Sequence, residues 1–588
     1  MKKNTNLEII RHSASHVLAA AVLEMFPDAK FGIGPAIENG FYYDFELPRT
    51  LIPEDLPILE EKMKEIIKAN YPFEKEEISA KNALEHFKKL GQDYKIELIN
   101  DLEKDDSKKV SVYKTNGFVD LCSGPHLDST GEIKSEALKL TRISGAYWKS
   151  NEKNKQLQRI YGVAFESKKE LDEYLVQMEE AGKRDHKKIG RELDLYSFHP
   201  EAPGSAFWHP KGMIVWNILE NLGKSLRKKY GYEEIQTPIL AKCGLWKTSG
   251  HWDHYKDSMF SFEVEKEIYC IKPMDCPFNI KIYAEKQRSY KELPVRYTEI
   301  GRVMRNEKSG ELNGLLRVRH ITQDDSHVFL TKDQVKDEII SLLKMAREYY
   351  NCFGIEPEFF LSTRPEDFMG EIKDWDEAEK DLESALKSEK VKYEVKEKDG
   401  AFYGPKIDID IKDALGRRWQ LATIQLDFQL PQRFELEYID NDGQKKTPVM
   451  IHAAIFGAFE RFIGIITEHY AGAFPVWLSP VQAVVIPVSE EKFGEYAKQV
   501  KEKLISANIR VELDDSKESL GKRISEAEKQ KIPYMLVVGE KEMTADSVAV
   551  RARVDKNPAS AKVSTGKQEV MKVNEFIEKI KKEIEDKK

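Results

Sequence analysis

Two short strings in the first 130 residues carry groups suited to chemistry. HSASH sets His12 and His16 four apart, on one face of the helix expected over residues 4–26. DLCSGPH sets Asp120, Cys122 and His126 on a strand-to-loop segment punctuated by Gly124 and Pro125. Together HxxxH and CxxxH supply four groups able to bind a metal or to act as general acids and bases. Each pair alone is as readily packing or surface, and only the two together point to a small polar site within residues 1 to about 160. A second concentration lies in residues 296–329, RYTEIGRVMRNEKSGELNGLLRVRHITQDDSHVF. It reads as two antiparallel strands joined by a loop over 306–315, longer than a tight hairpin needs. Period-two alternation puts Arg317, Arg319, Ile321, Gln323, Asp325 and His327 on one face of the second strand. A core strand would carry Val, Ile or Leu there, and burying unpaired polar groups costs several kcal/mol each. A solvated sheet face is the plain alternative. A polar face beside a basic loop suits a polyanionic substrate better.

The elements that must hold these groups follow from the pattern. Residues 166–193 are charge-dense with Leu171, Tyr174, Leu175 and Met178 at helical spacing, which predicts one bridging helix and a domain boundary. Residues 231–240 read as a turn and strand ending near Pro238, and Cys276 follows in IKPMDCP. Residues 402–411 read as an alternating strand carrying Tyr403 and Lys406, and residues 419–431 as another with Thr423, Gln425 and Asp427 on a shared exposed face. His452 then leads into a helix with Arg461 lodged among apolar residues, where it needs either an ion-pair partner or an anion. Beyond Pro480 the order strand, helix, strand, helix, strand predicts a compact α/β domain of about 100 residues. The expected domains are 1–165, a linker over 166–193, 194–479 and 480–588.

Composition narrows the classes. A chain of 588 residues and 67.9 kDa is too long for one core, and length suggests about three to five domains. With 41% hydrophobic and 33% charged residues it reads as a globular protein that needs no membrane. The apolar stretches at 16–26 and 451–478 do not suit a bilayer, the first being short and the second carrying Glu460, Arg461, Glu468 and His469. Lys2 and Lys3 precede polar residues instead of a signal-peptide core, so a cytoplasmic location is expected. Five scattered cysteines argue against a disulfide framework. The net charge of -8 excludes a uniformly basic nucleic-acid binder. From Val481 onward, however, 22 Lys and Arg face 20 Asp and Glu, so the acidic excess lies in the first 480 residues.

Taken in order, the strings resemble the class II aminoacyl-tRNA synthetases, and among them the threonyl branch of bacterial type. GYEEIQTPIL resembles the first class II motif, RYTEIGRVMRNEKSGELNGLLRVR the second and GAFERFIG the third. KPMDCP, TQDDSH and VMIHAAIFG are similar to threonyl-type strings, and HSASH with CSGPH to the editing domain of that branch. The resemblance covers nearly the whole chain. It implies an α+β multidomain fold: a class II antiparallel sheet with helices, an N-terminal α+β editing domain and a C-terminal α/β anticodon-binding domain, assembled as a homodimer through the first motif. His12 lies too near the start for the small ubiquitin-like domain that many relatives carry ahead of the editing domain, so none is expected.

The resemblance also implies roles. Activating an amino acid with ATP develops charge on the α-phosphate, so fixed cations and positioning matter more than a base. Arg305 would hold the α-phosphate and the amino-acid carboxylate, Glu307 the adenine, and Arg317 and Arg461 the triphosphate and adenine face, with Gln420 also at ATP and Lys406 among the catalytic groups. Mg2+ would bridge phosphate oxygens. Cys276, His327 and His452 match zinc ligands, and a Cys/His/His set leaves the fourth tetrahedral position to substrate. Gln323, Asp325 and Tyr403 would grip threonine, with Met274 and Gln425 also lining its pocket, and His251 would assist acyl transfer to the tRNA ribose. His12, His16, Lys95, Asp120, Cys122 and His126 would serve editing, and Arg523, Glu540 and Arg551 would contact the anticodon of tRNA(Thr).

A zinc that takes a hydroxyl explains why the site would prefer threonine. An apolar pocket separates near-isosteres by only about 10- to 200-fold, whereas a methyl cannot replace a hydroxyl that ligates a metal, so valine is rejected. Serine keeps the hydroxyl and is sometimes accepted, which requires a second site to hydrolyse seryl-tRNA. Three departures stand out. The usual R-V-R-G-F is here R-V-R-H-I, so His320 and Ile321 replace the glycine and the aromatic that stacks on adenine. The ubiquitin-like domain is not expected, and DDSKESLGKR departs from the usual anticodon-domain string. The expected activity is ATP-dependent ligation of threonine to tRNA with editing. A catalytically silent tRNA-binding regulator and a stand-alone zinc hydrolase of misacylated tRNA are the other readings.

Overall fold

A computed structural model describes residues 6–104, 109–151, 153–554 and 568–587. The chain divides into two compact units, Met1–Glu179 and Glu180–Lys588.

In the first unit the helix Asn6–Met25 is buried on most of its surface, as a helix rich in Ala and Val must be to earn its stability from packing. Ala14, Val17, Leu18 and Ala21 join Phe41, Tyr43 and Phe45 of the strand Gly40–Glu46 in one core. That strand pairs with Gln156–Ala164, which pairs in turn with Leu138–Tyr147. A smaller sheet, Glu74–Ser79, Lys109–Thr115 and Phe118–Leu121, carries Asp120 on its last strand. The helix expected over 4–26 is thus present from Asn6, and residues 4 and 5 lie outside the described residues. The single helix expected over 166–193 is two, Lys168–Lys183 and His186–Glu192. The second starts afresh because the Asp185 side chain accepts the Lys187 N–H and caps it.

In the second unit an eight-stranded, mainly antiparallel sheet is built around the strands Val295–Met304, His320–Leu330, Val449–Ala458, Arg418–Asp427, Lys406–Lys412 and Pro357–Ser362, in that spatial order. The helices Pro210–Lys229, Val335–Asn351 and Ile372–Ser388 and the helix Phe459–His469 share its apolar core. Register brings His327 opposite His452 and His452 opposite Gln425.

Three local expectations change. The second strand of the hairpin begins at His320, so Arg317 and Arg319 belong to the loop and not to the strand face. Arg317 is drawn out to Glu307 and Glu311, at 2.7 Å from each. Tyr403 lies in the turn before its strand, which starts at Lys406. Pairing near Pro238 is confined to Glu233–Glu234 and Leu240–Lys242, with the proline between them, as its missing N–H requires.

The last part of this unit has the sheet order Val511–Leu513, Ala483–Pro487, Tyr534–Val538, Ser547–Ala552, Glu569–Lys572. The first three strands are parallel, with the helices Glu490–Ser506 and Leu520–Lys529 between them in sequence, as the alternation predicts.

Candidate active sites

The first unit gathers the two Cys/His pairs. Cys122 Sγ stands 3.3 Å from His12 Nε2 and 3.3 Å from His126 Nε2, and the His16 ring lies 4.1 Å from that of His126. His12 Nδ1 faces the Pro125 carbonyl at 3.2 Å, and Ser13 Oγ meets His126 Nδ1 at 3.2 Å. Gly124, at φ +73°, must be glycine: a Cβ there would come within 2.3 Å of the Tyr113 hydroxyl. Burial lowers the basicity of His12, His16 and His126, and burial pushes the Cys122 thiol up to about 11. The quartet is therefore a neutral set of donors and acceptors.

Lys95 and Asp120 form a buried ion pair beside it, with the Tyr43 hydroxyl donating to Asp120 at 2.6 Å and accepting from Lys95 Nζ at 3.1 Å. His16 Nε2 is 3.4 Å from the same carboxylate. Five of the six residues expected here, His12, His16, Lys95, Asp120 and Cys122, line one cavity of about 780 Å³ together with Arg11 and residues 33–38, and His126 adjoins it through Cys122. Tyr43 and Arg11 were missed. Tyr43 sits on a strand whose alternation reads as core, so nothing in the sequence distinguished its hydroxyl.

The second site lies on the large sheet. Cys276, His327 and His452 are buried and offer ligand atoms within 4.8 Å of one another. The rings of His327 and His452 cross at 82° with centroids 4.9 Å apart. Among the described residues His327 Nδ1 is buried without a hydrogen-bond partner, whereas His452 Nε2 is held by Asp427 at 2.8 Å. Asp427, expected on an exposed face, is fully buried: its other oxygen caps the Gln429 and Leu430 N–H groups. Burial pushes the Cys276 thiol well up, helped by Asp325, Asp427 and Asp275, so a thiolate here requires a cation. This donor set, one orphaned imidazole nitrogen and a carboxylate orienting the other ring, fits a zinc ion.

Asp325 and Tyr403 adjoin these three residues: the Tyr403 ring lies 5.3 Å from that of His452, and its hydroxyl donates to Gln425 Oε1. Burial, with Asp275 and Glu299 nearby, raises the Asp325 carboxyl well above its usual range. Lys272 anchors this acidic cluster, donating to Glu299 at 3.0 Å and Thr237 at 2.8 Å and pairing with Asp275 at 2.6 Å. His251 is wholly buried, with Nδ1 2.8 Å from Ser249 Oγ and Nε2 4.0 Å from Cys276 Sγ, so in this arrangement it adjoins the three metal-type residues. Met274 packs partly buried beside Cys276.

Three guanidiniums converge farther along. Arg305 Nε donates to the Pro273 carbonyl, Arg317 pairs with Glu307, and Arg461 donates to the Leu316 carbonyl at 3.0 Å and the Gln420 carbonyl at 3.5 Å. Arg461 makes no ion pair among the described residues, and burial together with Arg317 and Arg305 lowers its proton affinity. A half-buried arginine repelled by two others would suit an anion. Asp408, passed over in the sequence, is fully buried and binds Gln420 Nε2 at 2.6 Å and Lys406 Nζ at 2.9 Å. Gln323 shares the strand face with Asp325. In the last domain Arg523 is buried and donates to the Asp514 and Pro487 carbonyls. Arg551 pairs with Glu528, and Glu540 is exposed at the start of a short helix.

Three family descriptions match the chain: "tRNA synthetase class II core domain (G, H, P, S and T)" over residues 260–470, "Anticodon binding domain" over 482–583, and "Threonyl and Alanyl tRNA synthetase second additional domain" over 110–161. The threonine-tRNA ligase of Caldanaerobacter subterraneus is 52% identical over 577 residues, 98% of this chain and 87% of that protein. That of Clostridium botulinum is 50% identical over 598 residues, 100% of this chain and 92% of that protein. The crystal structure of the RNA binding domain of threonyl-tRNA synthetase from Cryptosporidium parvum aligns with a TM-score of 0.64 at 40% identity, covering 68% of this chain and 98% of that one.

Proposed function

The chain belongs to the threonine-tRNA ligase family, and from that premise we propose how its residues divide the work of ATP-dependent threonine activation, transfer to tRNA and hydrolytic editing. The observation that carries the reading is the buried Cys276, His327 and His452 trio beside Asp325 and Tyr403. Cys276, His327 and His452 would hold zinc, which supplies a Lewis acid for the threonine hydroxyl. Asp325, Gln323 and Tyr403 orient the amino and hydroxyl groups, with Gln425 and Met274 completing the pocket. Arg305, Arg317 and Arg461 take the carboxylate and triphosphate, Glu307 and Gln420 position adenosine and Lys406 neutralises charge near the phosphates, where Mg2+ would supply further positive charge. His251 supports the pocket from behind Cys276 and could reach the ribose only after moving.

Editing falls to the neutral His12, His16, Cys122 and His126 set, which can orient a water at the seryl ester without a charged base. Lys95 and Asp120 fix its floor. The exposed apolar residues Ile239, Leu240, Phe262, Val264 and Ile268 around the first motif support a homodimer. The slightly basic last domain, with Arg551 and Glu540 at its surface, takes the anticodon of tRNA(Thr), and the substrates put the enzyme in the cytoplasm. A silent tRNA-binding regulator is not favoured, since Arg305, Arg461 and the metal-type trio are all retained.

The test is threonine-dependent exchange of pyrophosphate into ATP on protein of measured zinc content, with valine and serine as competitors. Exchange with threonine, weak exchange with serine and none with valine is expected. Zinc-loaded protein that fails with threonine would overturn the assignment of roles.

A further inference from the structure

His186 is a buried titratable group outside both sites. It is 1% exposed and opens the helix His186–Glu192. Its backbone N–H and its Nδ1 both meet Glu468 Oε1, at 3.1 and 2.6 Å, and its Nε2 lies 3.0 Å from the backbone nitrogen of Leu315. A backbone N–H can only donate, so Nε2 carries the lone pair and Nδ1 the proton. Asp185, His186 and Glu468 are close enough to suggest a metal site, but both ring nitrogens are committed, to Glu468 and to Leu315, so the imidazole has no lone pair left for a cation.

What the imidazole holds is the return of the loop between the strands Val295–Met304 and His320–Leu330. The Leu315 N–H donates to the ring, and the next carbonyl, Leu316, accepts from Arg461 Nε at 3.0 Å. Lys187 Nζ donates to Asn313 Oδ1 at 3.3 Å, and Asn313 N–H donates to the Arg317 carbonyl. Gly314 passes so close, at φ +51°, that a Cβ would come within 2.2 Å of His186 Nε2. Glu468 ends the helix that carries Arg461, so a continuous path runs Glu468, His186, Leu315, Leu316, Arg461, closing on its own helix.

We propose that His186 is a positioning residue for ATP: it fixes the end of this loop, and through the Leu316 carbonyl the guanidinium of Arg461, without touching substrate. This rests on the assignment of Arg461 to ATP made above. A solvent-exposed linker histidine would not need both ring nitrogens satisfied and a glycine packed against one of them.

The two nitrogens can be separated. His186→Asn keeps an amide donor near Glu468 but ends short of Leu315, whereas His186→Gln can put an acceptor at the Nε2 position. Pyrophosphate exchange on the full, zinc-loaded chain should show KM for ATP raised about tenfold in His186→Asn, with KM for threonine changed less than about twofold and His186→Gln recovering to within about threefold of wild type. Arg461→Ala is run alongside. If it raises KM for ATP and His186→Asn does not, the positioning role is wrong. Equal rises for ATP and threonine, or no recovery with Gln, reduce His186 to a structural contact and overturn it. An unchanged KM for ATP in Arg461→Ala removes the reading beneath it, and the inference with it.

Discussion

His327 and His452 are direct cross-strand partners whose rings cross at 82°, and Asp427 holds Nε2 of His452 while Nδ1 of His327 is buried without a partner among the described residues. With Nε2–H given to Asp427, the His452 ring keeps a lone pair on its other nitrogen, and a cation could take that pair together with one from His327 where a proton would add repulsion.

Metal content follows from that pair and Cys276. Purified protein should carry about one zinc per chain, measured by mass spectrometry. Cys276→Ala or His452→Ala should abolish it, whereas Cys122→Ala should leave it intact. Asp427→Asn should weaken zinc by about 10- to 100-fold, because the ring it orients is still present but no longer fixed. Zinc that tracks Cys122 instead would move the metal to the other unit.

Cys122 should behave as an unreactive thiol. Burial pushes it up to about 11 despite the Gly124 N–H pointing at its sulfur. Only about one part in a thousand is thiolate at pH 8, so iodoacetamide labelling should be slow and rise about tenfold per pH step up to pH 10. A plateau near pH 8 would show an activated thiolate and a different editing chemistry. Seryl-tRNA hydrolysis should show no inflection near pH 6.5, since burial holds His12, His16 and His126 neutral below their usual range.

Glu460 should make stability fall with pH. Burial pushes its carboxyl from 4.5 up to about 7, while the Thr322 N–H at 2.9 Å and Arg302 pull the other way without cancelling it. The folded chain therefore keeps a proton that the unfolded chain gives up. That stability is fully present below about 4.5 and is lost as pH rises to about 7, on the order of 3 kcal/mol in all. Glu460→Gln should remove this slope, so that its melting temperature gains on wild type between pH 5 and pH 8. Parallel pH profiles for the two proteins would refute the prediction.

The His320 and Ile321 pair should weaken adenine binding. Ile321 is half-buried on the same strand face as Gln323 and Asp325, where an aromatic ring would stack on a base for about 1 kcal/mol more than an aliphatic one. Ile321→Phe should lower KM for ATP severalfold and leave KM for threonine unchanged. No change in KM for ATP would place the adenine elsewhere.

Much of this molecule was legible in its residues because period and spacing are local. The buried helix Asn6–Met25, the alternation from Ile321 to His327 and the α/β order after Pro480 each depend on neighbours a few positions apart. So did the candidate ligands, since Cys276, His327 and His452 sit in strings that carry their own signature. What the sequence could not decide is which distant group each side chain meets. Asp427 was expected at a surface and instead orients His452, a pairing set by strand register. Arg523, expected at the anticodon, donates to the carbonyls of Asp514 and Pro487, 9 and 36 positions away. His186 reads as one residue in a charged linker, yet its partners Leu315 and Glu468 lie 129 and 282 positions away. Hydrogen-bond partnership and burial are properties of packed surfaces, and surfaces built from segments so far apart in the chain exist only once the tertiary fold has formed.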